Sequence, residues 1–435
     1  MVLARAVPRL QAAGLTAVVD IGASKVSCLI ASTGGGTVDA HEPVALDVLG
    51  AAQAGLATGE RGQDRTASTE TALRAAVDAA ERMAGERVTR VHVAVAGRHL
   101  LSRRVGVDLA LAGSAATRED VVDCLQKGAG VAAVDGATPL HALPTRFVID
   151  GDDAGGNPCG LVGSVLTVEM LGLAVREGVA ENLRALLERC DLCVDGYFAA
   201  PIAAADGSLI DDEKELGVLL LDIGARHTDF ALFEDGAVTA CGGVGVGGAH
   251  ITRDLAQIFG GEIAHAERVK TLYGSALSGD GDDHRFVDFP QIGDPNDVNV
   301  VSRAEIAAVI APRLEETFML VLRRLQEGAS ARRAAPIALR RAVLTGGGAQ
   351  VTGARETAER VLGVKTRLAK AAALSGAPDA VRAPQYAVCV GGMIRAADAG
   401  KRWRDRGDSF FDRDMIREGS VGVLRAAAAW LRANF

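Results

Sequence analysis

At 435 residues the chain is too long to fold around one compact core and is expected to divide into two or more lobes. Its 49% hydrophobic and 23% charged content is that of a globular protein, and a net charge of -8 with no cationic cluster in the body of the chain argues against nucleic acid as the main partner. The seven cysteines are scattered, and Cys190 and Cys193 have no second pair to complete a zinc site, so free thiols in a reducing cytoplasm are expected. No run reaches the roughly twenty apolar residues of a membrane-spanning helix. The start, with Arg5, Pro8 and Arg9 among its apolar positions, lacks a signal-peptide core.

In chain order, Ala17-Val18-Val19 runs into Asp20-Ile21-Gly22, and Val26 to Ile30 returns, which reads as a hairpin with a glycine corner. Thr66 to Gly85 has helical spacing, with Leu73, Ala76, Val77 and Ala80 on one face. The chain then changes to strands from Val88 to Leu111, a helix capped by Thr117 with Asp120 at the capping-box position, and further strands to about Val175. Residues 88–167 are read as an α+β module inserted into the first lobe. A helix over Arg176–Cys190, a short strand near Val194 and the helix-forming Pro201–Ile210 follow.

The stretch Gly217–Asp235 repeats the first device: Val218 to Leu221, then Asp222-Ile223-Gly224, then a return from Phe230 to Phe233. One DxG triplet is an ordinary turn, but two DIG hairpins roughly two hundred residues apart suggest a duplicated half whose backbone N–H groups cradle phosphate oxygens. Gly247 and Gly248 open a helix, and a glycine corner there suits either phosphate and ribose contact or tight packing. On the next helix Glu267 and Lys270 lie one turn apart, the spacing of a solvated ion pair. An acidic, turn-rich segment carries a hairpin near Phe286–Ile292, and a long helix from Ser302 to Glu327 contains Pro312, which is expected to kink or divide it. Arg341 to Thr345 then runs into Gly346, Gly347 and Gly348, whose bare backbone lets a flat base or a phosphate approach closely. Tyr386–Asp398 is a helix of small residues, and residues 400–419 read as a charged linker.

The end of the chain is amphipathic if helical: Val423, Leu424, Ala427, Trp430, Leu431 and Phe435 form one stripe, with Arg425 and Arg432 on the opposite flank. From Val421 it would span only about 22 Å at 1.5 Å per residue, short of the roughly 30 Å hydrocarbon core. It is expected to lie on an anionic membrane surface, with each arginine contributing about 1 kcal/mol.

With both DIG hairpins, the Leu344-Thr345-Gly346-Gly347-Gly348-Ala349 turn and the terminal helix in view, the chain resembles the FtsA family of bacterial cell-division proteins, within the actin-like ATPase superfamily. The resemblance implies an α/β, two-lobed actin-like fold of duplicated mixed sheets with flanking helices, an inserted α+β subdomain and a C-terminal amphipathic helix. It implies a first lobe over 15–87, 168–207 and 366–399, the insertion at 88–167, and a second lobe over 208–245 and 308–365. A smaller subdomain over 246–307, an extension over 1–14, the linker and a membrane-targeting helix over 420–435 complete it. The phosphate-1 loop would be Asp20, Gly22, Ala23, Ser24 and Lys25, the phosphate-2 loop Asp222 to Asp229 with Gly224, Ala225 and Arg226, and the adenosine turn Thr345 to Ala349. Glu267 and Lys270 would lie near the ribose and adenine, Gly247 and Gly248 at the corner before them, and Asp20 and Asp222 would hold Mg²⁺ beside ATP.

By the same resemblance the partners would be the FtsZ tail, docked on 246–307, further copies of the chain in filaments, other division proteins, and anionic lipid on the cytoplasmic face of the inner membrane at the division site. Where the family has small residues after DIG, this chain has Ala225, Arg226 and His227, so Arg226 either obstructs a phosphate or contacts it, and hydrolysis is expected to be slow or absent. A chaperone or sugar-kinase relative would need a substrate domain or a catalytic acid that the sequence does not display. A pilus-assembly actin homologue would explain the loops but not Ala429-Trp430-Leu431-Arg432.

Overall fold

The computed structural model describes residues 14–33, 46–56, 62–331 and 339–405. The chain begins with β1 (Leu15–Ile21), β2 (Lys25–Thr33), β3 (Leu46–Gly55), α1 (Gly62–Ala84) and β4 (Arg90–Val95). It continues through β5 (Leu100–Ala110), α2 (Arg118–Ala132), β6 (Ala137–Ile149), β7 (Asp152–Asp153), β8 (Val165–Arg176), α3 (Glu177–Arg189) and β9 (Cys193–Ala199). The linking helices α4 (Ala200–Asp206) and α5 (Asp211–Leu216) lead to β10 (Val218–Ile223), β11 (Thr228–Glu234) and β12 (Ala237–Val244). Then come α6 (Gly248–Phe259), α7 (Ile263–Tyr273), β13 (Phe286–Gln291), β14 (Asp294–Ser302) and α8 (Arg303–Ala331). The described chain closes with β15 (Arg341–Thr345), α9 (Ala354–Leu362), β16 (Lys365–Leu368) and α10 (Ala387–Asp405).

Two five-stranded sheets carry the same topology, β3-β2-β1-β4-β9 and β12-β11-β10-β15-β16. In each, an antiparallel meander is followed by two parallel strands that need crossover connections. The repeat extends to register: Asp20 faces Ser27 across the first hairpin and Asp222 faces Asp229 across the second. One face of the first sheet is covered by α1 and α3 through Val19, Ile30, Leu73, Ala76 and Leu187. One face of the second is covered by α6, α8 and α9, where Ile306, Ile310, Leu314, Phe318, Val321 and Leu325 line α8. The inner faces of both sheets share a core with α4 and α10. Those two helices touch backbone to backbone, since a Cβ on Gly391 would collide with the Ala203 carbonyl and one on Gly207 with that of Ala387.

The inserted sheet has the order β5-β8-β6-β7 and packs on α2, whose capping box pairs Thr117 N–H with Asp120 Oδ2 at 2.9 Å and Asp120 N–H with Thr117 Oγ1 at 3.2 Å. Its limits differ from the 88–167 read in the sequence. Residues 90–95 form β4, which lies between β1 and β9 in the first sheet, and the inserted sheet continues to Arg176 through its central strand β8. β4 is short and fully buried from Val93 to Val95, and β8 loses its alternation after Met170 and is buried on both faces to Val175, so the pattern does not show where one sheet ends and the other begins.

Two further expectations change. Pro312 lies inside α8 without dividing it, one exposed residue on a helix held by a long buried stripe. Residues 400–405, marked as linker by their charge, continue α10, because Lys and Arg are good helix formers and a mixed-charge segment need not end a helix. The rest of the linker, the N-terminal extension through residue 13, and Val423, Leu424, Arg425, Trp430, Leu431, Arg432 and Phe435 lie outside the described residues. Among the described residues no helix is long and apolar enough to cross a membrane.

Candidate functional site

The two DIG corners fold alike. Gly22 N–H donates to Lys25 O at 3.0 Å, and Gly224 N–H donates to His227 O at 3.0 Å. The N–H groups of Ala23, Ser24, Ala225 and Arg226 have no hydrogen-bond partner among the described residues, which leaves two small nests suited to an anion. Arg65 at the start of α1 braces the first corner by donating to Ala23 O at 3.0 Å. Lys25 reaches Gln53 Oε1 at 3.3 Å, and Gln53 in turn donates to Ser27 Oγ at 3.0 Å.

Charge concentrates between the corners. Asp222 and Asp20 keep part of their surface open to the cleft, yet protein encloses them enough to penalise ionisation. Burial first, then the neighbouring carboxylates of Asp229 and Asp20, push the Asp222 carboxyl up to about 8. Burial also raises Asp20, against the pull of Lys25 and His227. Lys25 is lowered by burial although Asp20, Cys389 and Asp222 oppose the shift. His227 is held below its ordinary value by burial and then by Arg98. A cluster of carboxylates that resists ionisation is one that a cation would relieve. Among the described residues no three His, Cys, Asp or Glu side chains converge at metal-ligand distance. The donor set therefore fits a Mg²⁺ held through its waters and phosphate oxygens, and does not form an all-protein cage.

The three glycines after β15 are not equivalent. Gly346 has φ +84°, and a Cβ there would collide with Asp222 Oδ1 and lie 2.7 Å from Ile223 O. A Cβ on Gly348 would lie 2.9 Å from Ile223 O. Gly347 alone has nothing within 4 Å of a built Cβ, so its surface is the one open to a flat ligand. The corner at the start of α6 closes on the same place. Gly248 N–H donates to Gly224 O at 2.9 Å and Ala249 N–H to Ala225 O at 2.7 Å, while Gly247 N–H meets His250 Nδ1 at 3.1 Å. The amides of Gly248 and Ala249 thus shape the second corner while that of Gly247 turns to His250, and the bare Gly247 is what admits the corner: a Cβ there would lie 2.5 Å from Gly224 O. Gly248 also approaches Gly348, whose Cα would be 3.8 Å from its built Cβ.

Glu267 and Lys270 do not form the free surface pair that their spacing suggests. The Lys270 side chain is 11% exposed, and Nζ donates to Glu267 Oε2 at 2.6 Å, Thr252 Oγ1 at 2.9 Å and Gly248 O at 3.2 Å. Glu267 keeps 43% of its side chain in solvent and bonds Thr252 Oγ1 as well. The two corners, the Gly346–Gly348 turn, Gly247–Gly248 and the Glu267–Lys270 pair therefore surround one cleft. Arg226 is half-buried and has no ion-pair or hydrogen-bond partner among the described residues, so its charge is available at the second corner.

Several participants were missed in the sequence. Gln53 and Arg65 stand on separate elements with no local pattern. Thr252 was recognisable only as the residue one helical turn after Gly248. Asp229 enters the sequence reading only as the end of the phosphate-2 loop that the resemblance implies; in the fold it stands on β11, 2% exposed, and its Oδ2 accepts from Gly97 N–H at 2.7 Å.

Duplicated five-stranded sheets whose hairpin corners face each other across a cleft define an actin-like two-lobed fold. Solved structures agree in fold: a chain of the "PilM-PilN type IV pilus biogenesis complex" matches with TM-score 0.58 at 17% identity, covering 90% of this chain and 99% of that one. MreB5 of Spiroplasma citri bound to ADP matches with TM-score 0.51 at 15% identity, covering 91% and 99%. The family description "Cell division protein FtsA" matches residues 219–391, and "SHS2 domain inserted in FTSA" matches residues 97–173. Among full-length relatives, the cell division protein FtsA of Rhizobium meliloti (strain 1021) is 33% identical over 97% of this chain and 95% of its own. That of Pseudomonas aeruginosa is 30% identical over 96% and 97%, and that of Escherichia coli K12 is 29% identical over 83% and 85%. The chain belongs to the FtsA family of actin-like cell-division proteins.

Proposed function

We propose that the chain binds ATP with Mg²⁺ in this cleft, polymerises like actin, and anchors the FtsZ ring to the cytoplasmic face of the inner membrane through its C-terminal amphipathic helix. The observation that carries the nucleotide part is the matched pair of corners, each with free amides, flanking carboxylates that a cation would relieve. Ala23, Ser24, Ala225 and Arg226 would receive phosphate oxygens, with Lys25 as a point charge beside them and Asp20 and Asp222 holding the waters of Mg²⁺. The cation would neutralise phosphate charge. Gly347 offers the flat approach for the base, with Lys270 and Glu267 near the sugar. Arg226 takes the contact reading over the obstruction reading, because its guanidinium has no protein partner among the described residues.

Binding would carry the function with slow or absent hydrolysis, by favouring one relation of the lobes over another. The smaller subdomain exposes the apolar side chains Ile258, Leu272, Phe286, Ile292 and Val300, any of which would be available to the FtsZ tail. The inserted subdomain would meet neighbouring copies and other division proteins. In a flotation assay with anionic liposomes and Mg-ATP, FtsZ should float only when this chain is present. Removing residues 420–435 should leave both proteins at the bottom, and recruitment of FtsZ that survives that deletion would contradict the anchoring role.

A further inference from the structure

The inserted subdomain is held at its root by two polar anchors that belong to different lobes. His141 on β6 accepts from Ala199 N–H through Nε2 at 2.9 Å, a bond to the end of β9 in the first lobe. The other anchor comes from the second lobe: Asp229 Oδ2 accepts from Gly97 N–H at 2.7 Å, where the chain leaves β4 and turns toward β5. Asp229 stands directly opposite Asp222 in the β10–β11 hairpin and opposite Gly243 on β12. Its second oxygen, Oδ1, is buried without a full hydrogen bond.

The fit around this carboxylate leaves no slack. A Cβ on Gly97 would lie 2.7 Å from Gly242 C and 2.9 Å from Asp229 Oδ1, and one on Gly243 would lie 2.7 Å from Arg98 N. The backbone of β12 thus lies against the turn Gly97–His99, and β12 continues along β5, β6 and β8. A hydrogen bond in such a water-poor, close-packed place is strong and directional. A displacement of the second corner therefore reaches Gly97 through a rigid path of one hairpin register and one hydrogen bond.

We propose that Asp229 is a positioning residue that couples the setting of the second corner to the orientation of the inserted subdomain, so that nucleotide occupancy of the cleft is reported to that subdomain's outer surface. The inference rests on the nucleotide-binding reading above. His141 keeps the subdomain on the first lobe in either setting, and Asp229 decides how its root follows the second.

Hydrogen exchange on the full chain tests this, with wild type, Asp229→Ala and Asp229→Asn compared without nucleotide and at saturating Mg-ATP, occupancy being checked separately with labelled ATP. Without nucleotide, peptides covering Gly97–Leu101 should exchange about tenfold faster in Asp229→Ala. At saturation, wild type should show an altered exchange rate in β5 and β6, on the order of threefold, and Asp229→Ala should lose that response. Asp229→Asn keeps the shape and an acceptor oxygen, so it covers the case of a poorly folded alanine variant, and it should retain less than half of the response. A full response in either variant overturns the coupling, as does a wild type that binds labelled ATP with no change in β5 or β6. A wild type that takes up no ATP overturns the nucleotide reading and this inference together, and the labelled-ATP measurement identifies that case.

Discussion

Adjacent glycines of the Gly346–Gly348 turn should respond in opposite ways to the same methyl group. Gly346 sits at φ +84°, where an L-residue costs about 1–2 kcal/mol, and its new Cβ would press on Asp222 and on the Ile223 carbonyl, an overpacking of about 1–3 kcal/mol. Gly346→Ala should therefore lose roughly 2–5 kcal/mol. With about 2–4 °C per kcal/mol for a lobe of this size, its melting temperature should fall by about 5 °C or more. Gly347 has φ -66° and open space around its built Cβ, so Gly347→Ala should leave stability unchanged or raise it by about 0.4–1 kcal/mol through the unfolded chain. The same methyl would stand where the base is proposed to lie, so labelled ATP should bind Gly347→Ala more weakly while the fold persists. Thermal unfolding of the two variants beside nucleotide titration separates the roles. Equal destabilisation by both, or Gly347→Ala binding ATP as wild type does, would refute the reasoning.

Three other outcomes are expected. Asp222 and Asp229, at about 8 and about 7, bind more protons folded than unfolded, so they add stability below the ordinary aspartate value that is lost as pH rises through 7 and 8. In metal-free buffer the unfolding free energy should thus fall between pH 5 and 8, by on the order of 1 kcal/mol per pH unit, with the melting temperature falling alongside, and Mg-ATP should flatten the slope; a rise with pH over that range would contradict it. Glu213 is buried at 3% exposure and takes two bonds from Arg367, at 2.6 and 2.5 Å, so Glu213→Ala should cost roughly 2–3 kcal/mol in a urea melt, and less than about 0.5 kcal/mol would show that the pair is not needed. Trp430→Glu should release the protein from anionic liposomes without weakening ATP binding, and retention on the vesicles would place the membrane contact elsewhere.

The parts of this fold that were legible are those in which neighbours in sequence do the work. The two DIG hairpins, the Thr117 capping box and the apolar stripe of α1 each announce themselves within about ten residues. The duplicated strand order follows from the hairpins, because each feeds a parallel strand through a crossover. The borders of the inserted sheet were not legible, since β4 is only six residues long and buried throughout its second half, and β8 loses its alternation after Met170. Gly243 and Gly247 look alike in one run, yet the former admits the turn at Gly97 and the latter admits the second corner, a distinction made only by distant backbone. The Glu267–Lys270 spacing is that of any surface pair, and what buries Lys270 is Thr252 and the Gly248 carbonyl on another helix. Asp229 shows the same limit, because its partner Gly97 lies on the other lobe.

The central claim is that one nucleotide is held between the two corners, and the most direct measurement is a titration of labelled ATP with Mg²⁺ against wild type and the double variant Asp222→Ala, Gly347→Asp. The account predicts saturable, Mg²⁺-dependent binding at one site per chain in wild type and loss of at least about a hundredfold in affinity in the variant, about 2.7 kcal/mol. Equal binding by the two proteins would contradict it.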